Sequence, residues 1–119
     1  MAMIKIEAVI RPERINLVVD AIVEAGVGGF HVVNVTGRGR QQGVEVFTGR
    51  GGVTATRASL PKTIVTTVVP DDMKEAVVQA IIEAARSGDL GAIGDGKIFV
   101  SPVTEVIRVR TGERDGDAL

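Results

Sequence analysis

From Met3 to Ile10 the chain alternates, with Ile4, Ile6, Ala8 and Ile10 interleaved with Lys5, Glu7 and Val9. This two-residue period predicts a strand with one face in a core. At "RPER" the period changes. Pro12 suits a first helical position, where its missing N–H would be unpaired in any case, and Ile15, Val18, Ile22 and Ala25 follow at helical spacing until Gly26 stops the helix. "FHVVNV" predicts a second strand, a long loop runs from Gly37 to Pro61, and "TIVTTVV" predicts a third strand. The stretch "PDDMKEAVVQAIIEAARSG" predicts a second helix, with acidic residues in its first turn and Met73, Val77, Ile81 and Ala84 on one face. After the glycine loop "DLGAIGDG", the segment "KIFVSPVTEVIRVR" predicts a last strand that Pro102 breaks or places at an edge, and "TGERDGDAL" is a polar tail.

The order βαββαβ predicts an α+β, ferredoxin-like fold: a four-stranded antiparallel sheet with both helices on one face. No element is left to cover the other face. The first and third strands nevertheless carry apolar residues at successive positions, so packing against other copies of the chain is expected. At 119 residues the chain has the length of one domain, 1–119. A 45% hydrophobic content with only 3% aromatics implies a core of Val, Ile, Leu and Ala.

The net charge of -1 leaves too little positive potential for neutralising a nucleic-acid backbone. Zero cysteines exclude disulfides, thiolate metal ligands and a cysteine nucleophile, and fit a reducing compartment. No apolar run approaches a membrane span of about 18 to 20 residues, so the chain is expected to be cytoplasmic.

Three stretches carry candidate chemistry. "GRGRQQGVEVFTGRGG", Gly37 to Gly52, admits an RNA-binding arm, a phosphate-cradling loop or a flexible linker. An RNA-binding arm needs stacking aromatics and a basic surplus, and the long loop offers only Phe47, with Glu45 opposing its arginines. "GAIGDGK", Gly91 to Lys97, spells G-x-x-x-x-G-K, but Ile98 stands where Ser or Thr would meet magnesium, and the stretch enters a strand rather than a helix. It is not a P-loop. Its glycines can still turn backbone N–H groups toward an anion beside Lys97, although a helix stop followed by a tight turn would read the same way. "VIRVRTG" places Arg108 and Arg110 two apart on the predicted strand, on one face roughly 6.5 to 7 Å apart, where they could grip one polyphosphate or lie on an exposed edge. His31, the only histidine, reads as a strand residue, and capping accounts for Asp71, Asp72 and Glu75.

Taken together, "IEAVIRPERI", "VTGRGRQQG", "LPKTIVTTVVPDD", "IGDGKIFVSPV" and "VIRVRTGE" resemble the PII nitrogen-regulatory signal transduction proteins, in order and across nearly the whole chain. The resemblance implies a non-enzymatic homotrimer whose subunit clefts bind ATP or ADP. It also implies 2-oxoglutarate bound beside ATP and magnesium at the base of a mobile T-loop, here about 37–61. The B-loop would be about 87–97 and the C-terminal segment about 108–119. Carried over by position, the nucleotide would meet Val9, His31, Gly37, Arg40, Gln41, Val68, Gly94, Asp95, Gly96, Lys97, Arg108 and Arg110. Gln41 would ligate magnesium, and Gln42, Gly43 and Lys62 would join it around 2-oxoglutarate. The implied partner is a protein target such as an ammonium transporter, which would draw the chain to the membrane, or an enzyme of nitrogen metabolism.

Three departures from the family pattern stand out. With zero tyrosines, nucleotidylation at the family's T-loop tyrosine is impossible. The T-loop is slightly longer than usual and reads "FTGRGGVTATRA", and "SGDLGAIGDG" carries extra residues in the B-loop. Alternatives at this stage are the nitrogenase-regulating branch, suggested by "GRGRQQG", and a relative that reads adenine nucleotides with bicarbonate. A nucleotide hydrolase using Asp95 or Glu105, and a purely structural trimer, are the readings from other classes.

Overall fold

The computed structural model describes residues 2–38, 44–47, 54–57 and 60–119, of which 44–47 and 54–57 are described as strand backbone alone. Strand β1 (Met3–Ile10) leads through a 3-10 turn (Pro12–Arg14) into helix α1 (Ile15–Glu24) and then β2 (His31–Gly37). A short pair follows, β3 (Val44–Phe47) and β4 (Thr54–Arg57), and then the long strand β5 (Leu60–Pro70). A second 3-10 turn (Asp71–Met73), helix α2 (Lys74–Ala85) and β6 (Gly96–Val103) complete the core.

Four strands form one sheet in the order β2-β5-β1-β6, with every pairing antiparallel. This is the expected ferredoxin-like order, and the α+β class holds. The expected loop of 37–61 differs in detail: β2 runs on to Gly37, opposite Leu60, and β3 and β4 pair as a separate ribbon.

The pleat determines which residues build the core. Ile6, Ala8 and Ile10 of β1 and Val65 and Val69 of β5 face the helices, where they meet Val18 and Ile22 of α1 and Val77 and Ile81 of α2. Each of the Ile and Val side chains contributes about 1.5 to 3 kcal/mol by leaving water. The opposite face is open. Across it, in register, lie Lys97, Val9, Ile64 and Val33, and beside them Phe99, Glu7, Thr66 and His31. Val33 is 50% exposed and Phe99 is 55% exposed on this face, so apolar surface faces water in the single chain.

Helix α1 ends as Gly26 suggests. The Gly26 N–H bonds to Val23 O and the Val27 N–H to Ile22 O, with Gly26 at φ +104. This is a Schellman closure, with Val27 buried against the core. The acidic residues at the start of α2 and in the 3-10 turn before it behave differently from the capping expected. No side-chain capping bond closes that terminus, and the Asp71 N–H bonds to Ala2 O. Asp71, Asp72 and Glu75 therefore favour α2 through the helix dipole alone.

The last strand is shorter than its sequence implies. β6 ends at Val103, and beyond it Ile107 makes an isolated bridge to Arg114 around a turn closed by Arg108 N to Glu113 O and Gly112 N to Arg108 O. Arg108 and Arg110 thus do not project from one face of a strand: Arg110 lies within the turn. Pro102 sits opposite Ile4 on the edge strand, where its missing N–H breaks no ladder. No helix among the described residues is long and apolar enough to cross a membrane.

Candidate functional site

The site forms where all four strands of the main sheet meet at one end. Val9 of β1 lies opposite Ile64 of β5 on one side and Lys97 of β6 on the other, and Lys62 lies opposite Val35 of β2. The start of β6 admits only glycine. Gly96 has φ +127, and a Cβ there would stand 1.9 Å from the Val9 carbonyl oxygen.

The loop between α2 and β6 contains glycines at positive φ at Gly88, Gly91 and Gly94, and Gly96 follows at the start of β6, so its backbone has little preferred shape of its own. Side chains impose one. The Asp95 carboxylate accepts from Ser87 N at 2.9 Å, Ser87 Oγ at 2.6 Å, Ala92 N at 2.8 Å and Arg11 Nε at 3.2 Å. Partial burial opposes the charge, but the Ser87 hydroxyl, the Ser87 and Ala92 amides and Arg11 together hold the Asp95 carboxyl well below the usual carboxylate range. The loop is also fastened from outside: Arg11 Nη2 donates to Ile93 O at 2.9 Å and Lys62 Nζ to Gly94 O at 2.7 Å. Burial and the neighbouring Arg11 charge lower the Lys62 pKa, partly offset by Glu13 and Asp95.

Beside this loop is a cavity of about 440 Å³. Val9, Val35 and Phe99 give it an apolar surface, the segment from Ala92 to Lys97 forms one wall, and Gly37, Arg38 and Lys62 line the side at the end of β2. Among the described residues its charges are unbalanced. Arg38, Lys62 and Lys97 line it, while the carboxylate there, Asp95, is committed to donors within its own loop and to Arg11. An apolar pocket of this volume edged by cations has the character of a site for a small anionic ligand.

The structure brings together Val9, Gly37, Lys62, Gly94, Asp95, Gly96 and Lys97 of the residues expected from sequence. His31 and Val68 lie outside the lining, opposite Thr66 and Lys5 respectively. Arg108 and Arg110 also lie outside it, and Arg108 Nη1 pairs with Glu113 at 2.8 Å. Arg40, Gln41, Gln42 and Gly43 lie outside the described residues. Arg11 and Ser87 carry no role in the sequence reading. The one signal for Arg11 is its place before Pro12, which favours extended backbone, here φ -65 and ψ 136, and so carries the side chain past the end of β1.

An open-faced α+β sheet with a cationic cavity at its loop end has the character of a domain that binds a small anionic ligand. The comparisons make this specific: residues 3–113 match the family model "Nitrogen regulatory protein P-II", and the chain belongs to that family. It is 47% identical over 116 residues to a nitrogen regulatory protein P-II of Cereibacter sphaeroides, covering 97% of this chain and 98% of the relative. It is 44% identical to that of Azospirillum brasilense, with the same coverage. Among solved structures it is similar to Arabidopsis thaliana PII bound to citrate, with TM-score 0.77, 40% identity, and 99% and 92% of the two chains covered. It is also similar to B. subtilis GlnK, with TM-score 0.78, 26% identity and 100% of both chains covered. The protein is a signal-transduction regulator of the P-II class.

Proposed function

We propose that the chain is a non-enzymatic sensor that binds ATP or ADP at the glycine loop and 2-oxoglutarate at the T-loop base, and so controls a protein of nitrogen metabolism. The observation that carries this reading is the cavity with Arg38, Lys62 and Lys97 around a wall of glycine backbone. In this reading the nucleotide phosphates lie against Gly94–Lys97, with Arg108 and Arg110 supplied by a neighbouring subunit of a homotrimer. The trimer would also cover the open sheet face that carries Val33 and Phe99. Lys62, with Gln41, Gln42 and Gly43, would hold the dicarboxylate. The citrate in the Arabidopsis relative is a polycarboxylate and is compatible with such a site.

Magnesium fits only in company with the nucleotide. Among the described residues no group of three His, Cys, Asp or Glu could hold a metal, and the Asp95 oxygens are engaged by donors. The ion would be held by the ATP phosphates and the Gln41 side-chain oxygen, and would screen phosphate charge next to the incoming carboxylate. Catalysis has no place in this reading: Asp95, held well below the usual carboxylate range, is a poor general base, and Glu105 is paired with Arg114. Ligands that touch the base of the T-loop would select among its conformations, and a partner, an ammonium transporter or a nitrogen-metabolism enzyme, would bind one of them.

Isothermal titration of 2-oxoglutarate into the full chain tests the reading, first with magnesium-ATP and then with ADP. Heat of binding with magnesium-ATP alone is expected. Nucleotide binding with no response to 2-oxoglutarate would transfer the sensing role to another metabolite, and absence of nucleotide binding would overturn the reading.

A further inference from the structure

We propose that Arg11 is a positioning residue for the nucleotide loop: it holds the loop from behind, does not touch the ligand, and sets how well the glycine backbone is prepared for phosphate. The proposal rests on the reading of the cavity as a nucleotide site.

Arg11 does not line the cavity, although Gly94, Asp95, Gly96 and Lys97 do. Its guanidinium is directed at two acceptors two residues apart in the loop, the Asp95 carboxylate through Nε and the Ile93 carbonyl through Nη2. Gly94, at φ +98, lies between these anchored residues, and its own carbonyl is held by Lys62. The other Asp95 contacts come from Ser87 and Ala92, within the loop, so they close it upon itself without fixing it to the sheet. Arg11 supplies that attachment from the end of β1, as Lys62 does from β5 at the Gly94 carbonyl, and Gly96 brings the start of β6 close against the Val9 carbonyl. A loop with glycines at three positive-φ positions and a fourth where it enters β6 has many conformations to lose when it orders around a ligand. Fixing it beforehand removes part of that cost from the binding step. A planar guanidinium can bridge two acceptors along its fork, whereas an ammonium at the end of a flexible stem cannot reproduce the geometry.

The test uses the full chain with Arg11→Met, Arg11→Lys, Asp95→Asn and the double variant Arg11→Met/Asp95→Asn. ATP affinity is measured by titration, and hydrogen exchange of the Ser87, Ala92 and Asp95 amides is measured without ligand. In Arg11→Met, faster exchange at these amides and about tenfold weaker ATP binding are expected. Arg11→Lys should not restore affinity despite keeping the charge, and the double variant should lose no more than the worse single variant, because both act on one clasp. Wild-type affinity in Arg11→Lys, or additive losses in the double variant, would overturn the proposal and make Arg11 an independent charge. Unchanged amide exchange in Arg11→Met would overturn it whatever the ligand. If the wild type bound no nucleotide while exchange still rose in Arg11→Met, the function reading would fail and the clasp would remain only as architecture, so the two failures are distinguishable.

Discussion

Two arginine–carboxylate pairs, one in the glycine loop and one in the C-terminal turn outside the cavity, differ in setting, and the shorter is the less consequential. Arg108 meets Glu113 at 2.8 Å across the C-terminal turn, with side chains 35% and 45% exposed. Arg11 meets Asp95 at 3.2 Å in the glycine loop, with side chains 26% and 18% exposed. The first pair is surrounded by water that competes for both ions, and holding two long side chains together costs entropy. The second is one contact in a set that also includes two amides and a hydroxyl, and each contact makes the next easier to keep. Separation alone therefore does not rank these interactions. Solvent access and the number of donors converging on one carboxylate do.

The largest way to break this contrast is to disturb the loop's attachment without touching a charge. Gly96→Ala would require an alanine at φ +127 with its Cβ 1.9 Å from the Val9 oxygen, so β1 and β6 would have to separate at that end. A loss of roughly 3 kcal/mol or more is expected, read as a lower urea midpoint. Next comes Asp95→Asn, expected to cost about 1 to 3 kcal/mol by leaving donors poorly matched. Its signature lies in acid. Because the folded carboxyl titrates well below the ordinary 3.8, the unfolded chain takes up the proton first as pH falls. The stabilisation is therefore complete above that value and declines below it, toward the lowered folded pKa. Urea midpoints measured from pH 6 down into this acid window should fall in the wild type, and the part due to residue 95 should vanish in Asp95→Asn. Glu113→Gln is the smallest change, expected within about 0.5 kcal/mol of wild type. A large stability effect from this substitution, read from the same urea curves, would mean the turn is more than a surface hairpin.

The contrast also shows what could be read from the sequence. The alternation in β1, the helical spacing of Val18 and Ile22, and Gly26 as a stop each depend on local periodicity or backbone freedom, and each appears where expected. The last strand did not run on to Arg110, because the alternation in "VIRVR" reports only that β structure is possible there. Gly112, at φ +72, and the Arg108 to Glu113 bonds turn the chain back instead. Asp95 was legible as part of a glycine loop, but its inward direction was not, since the donors that turn it belong to Ser87, Ala92 and Arg11.

By itself, the sequence determined the α+β order, the face of each helix that enters the core, and the glycine–lysine turn that marks the site, because these depend on spacing along the chain. The tertiary structure alone decided that Arg11 reaches Ile93 and Asp95, that Lys62 reaches Gly94, and that, among the described residues, Arg38, Lys62 and Lys97 line a cavity beside an Asp95 carboxylate engaged by its own loop and Arg11. Those contacts join β1, β5 and the loop before β6 across as many as 84 positions. Separations of that size have no signature in local pattern, and only the pairing of the strands brings the ends together.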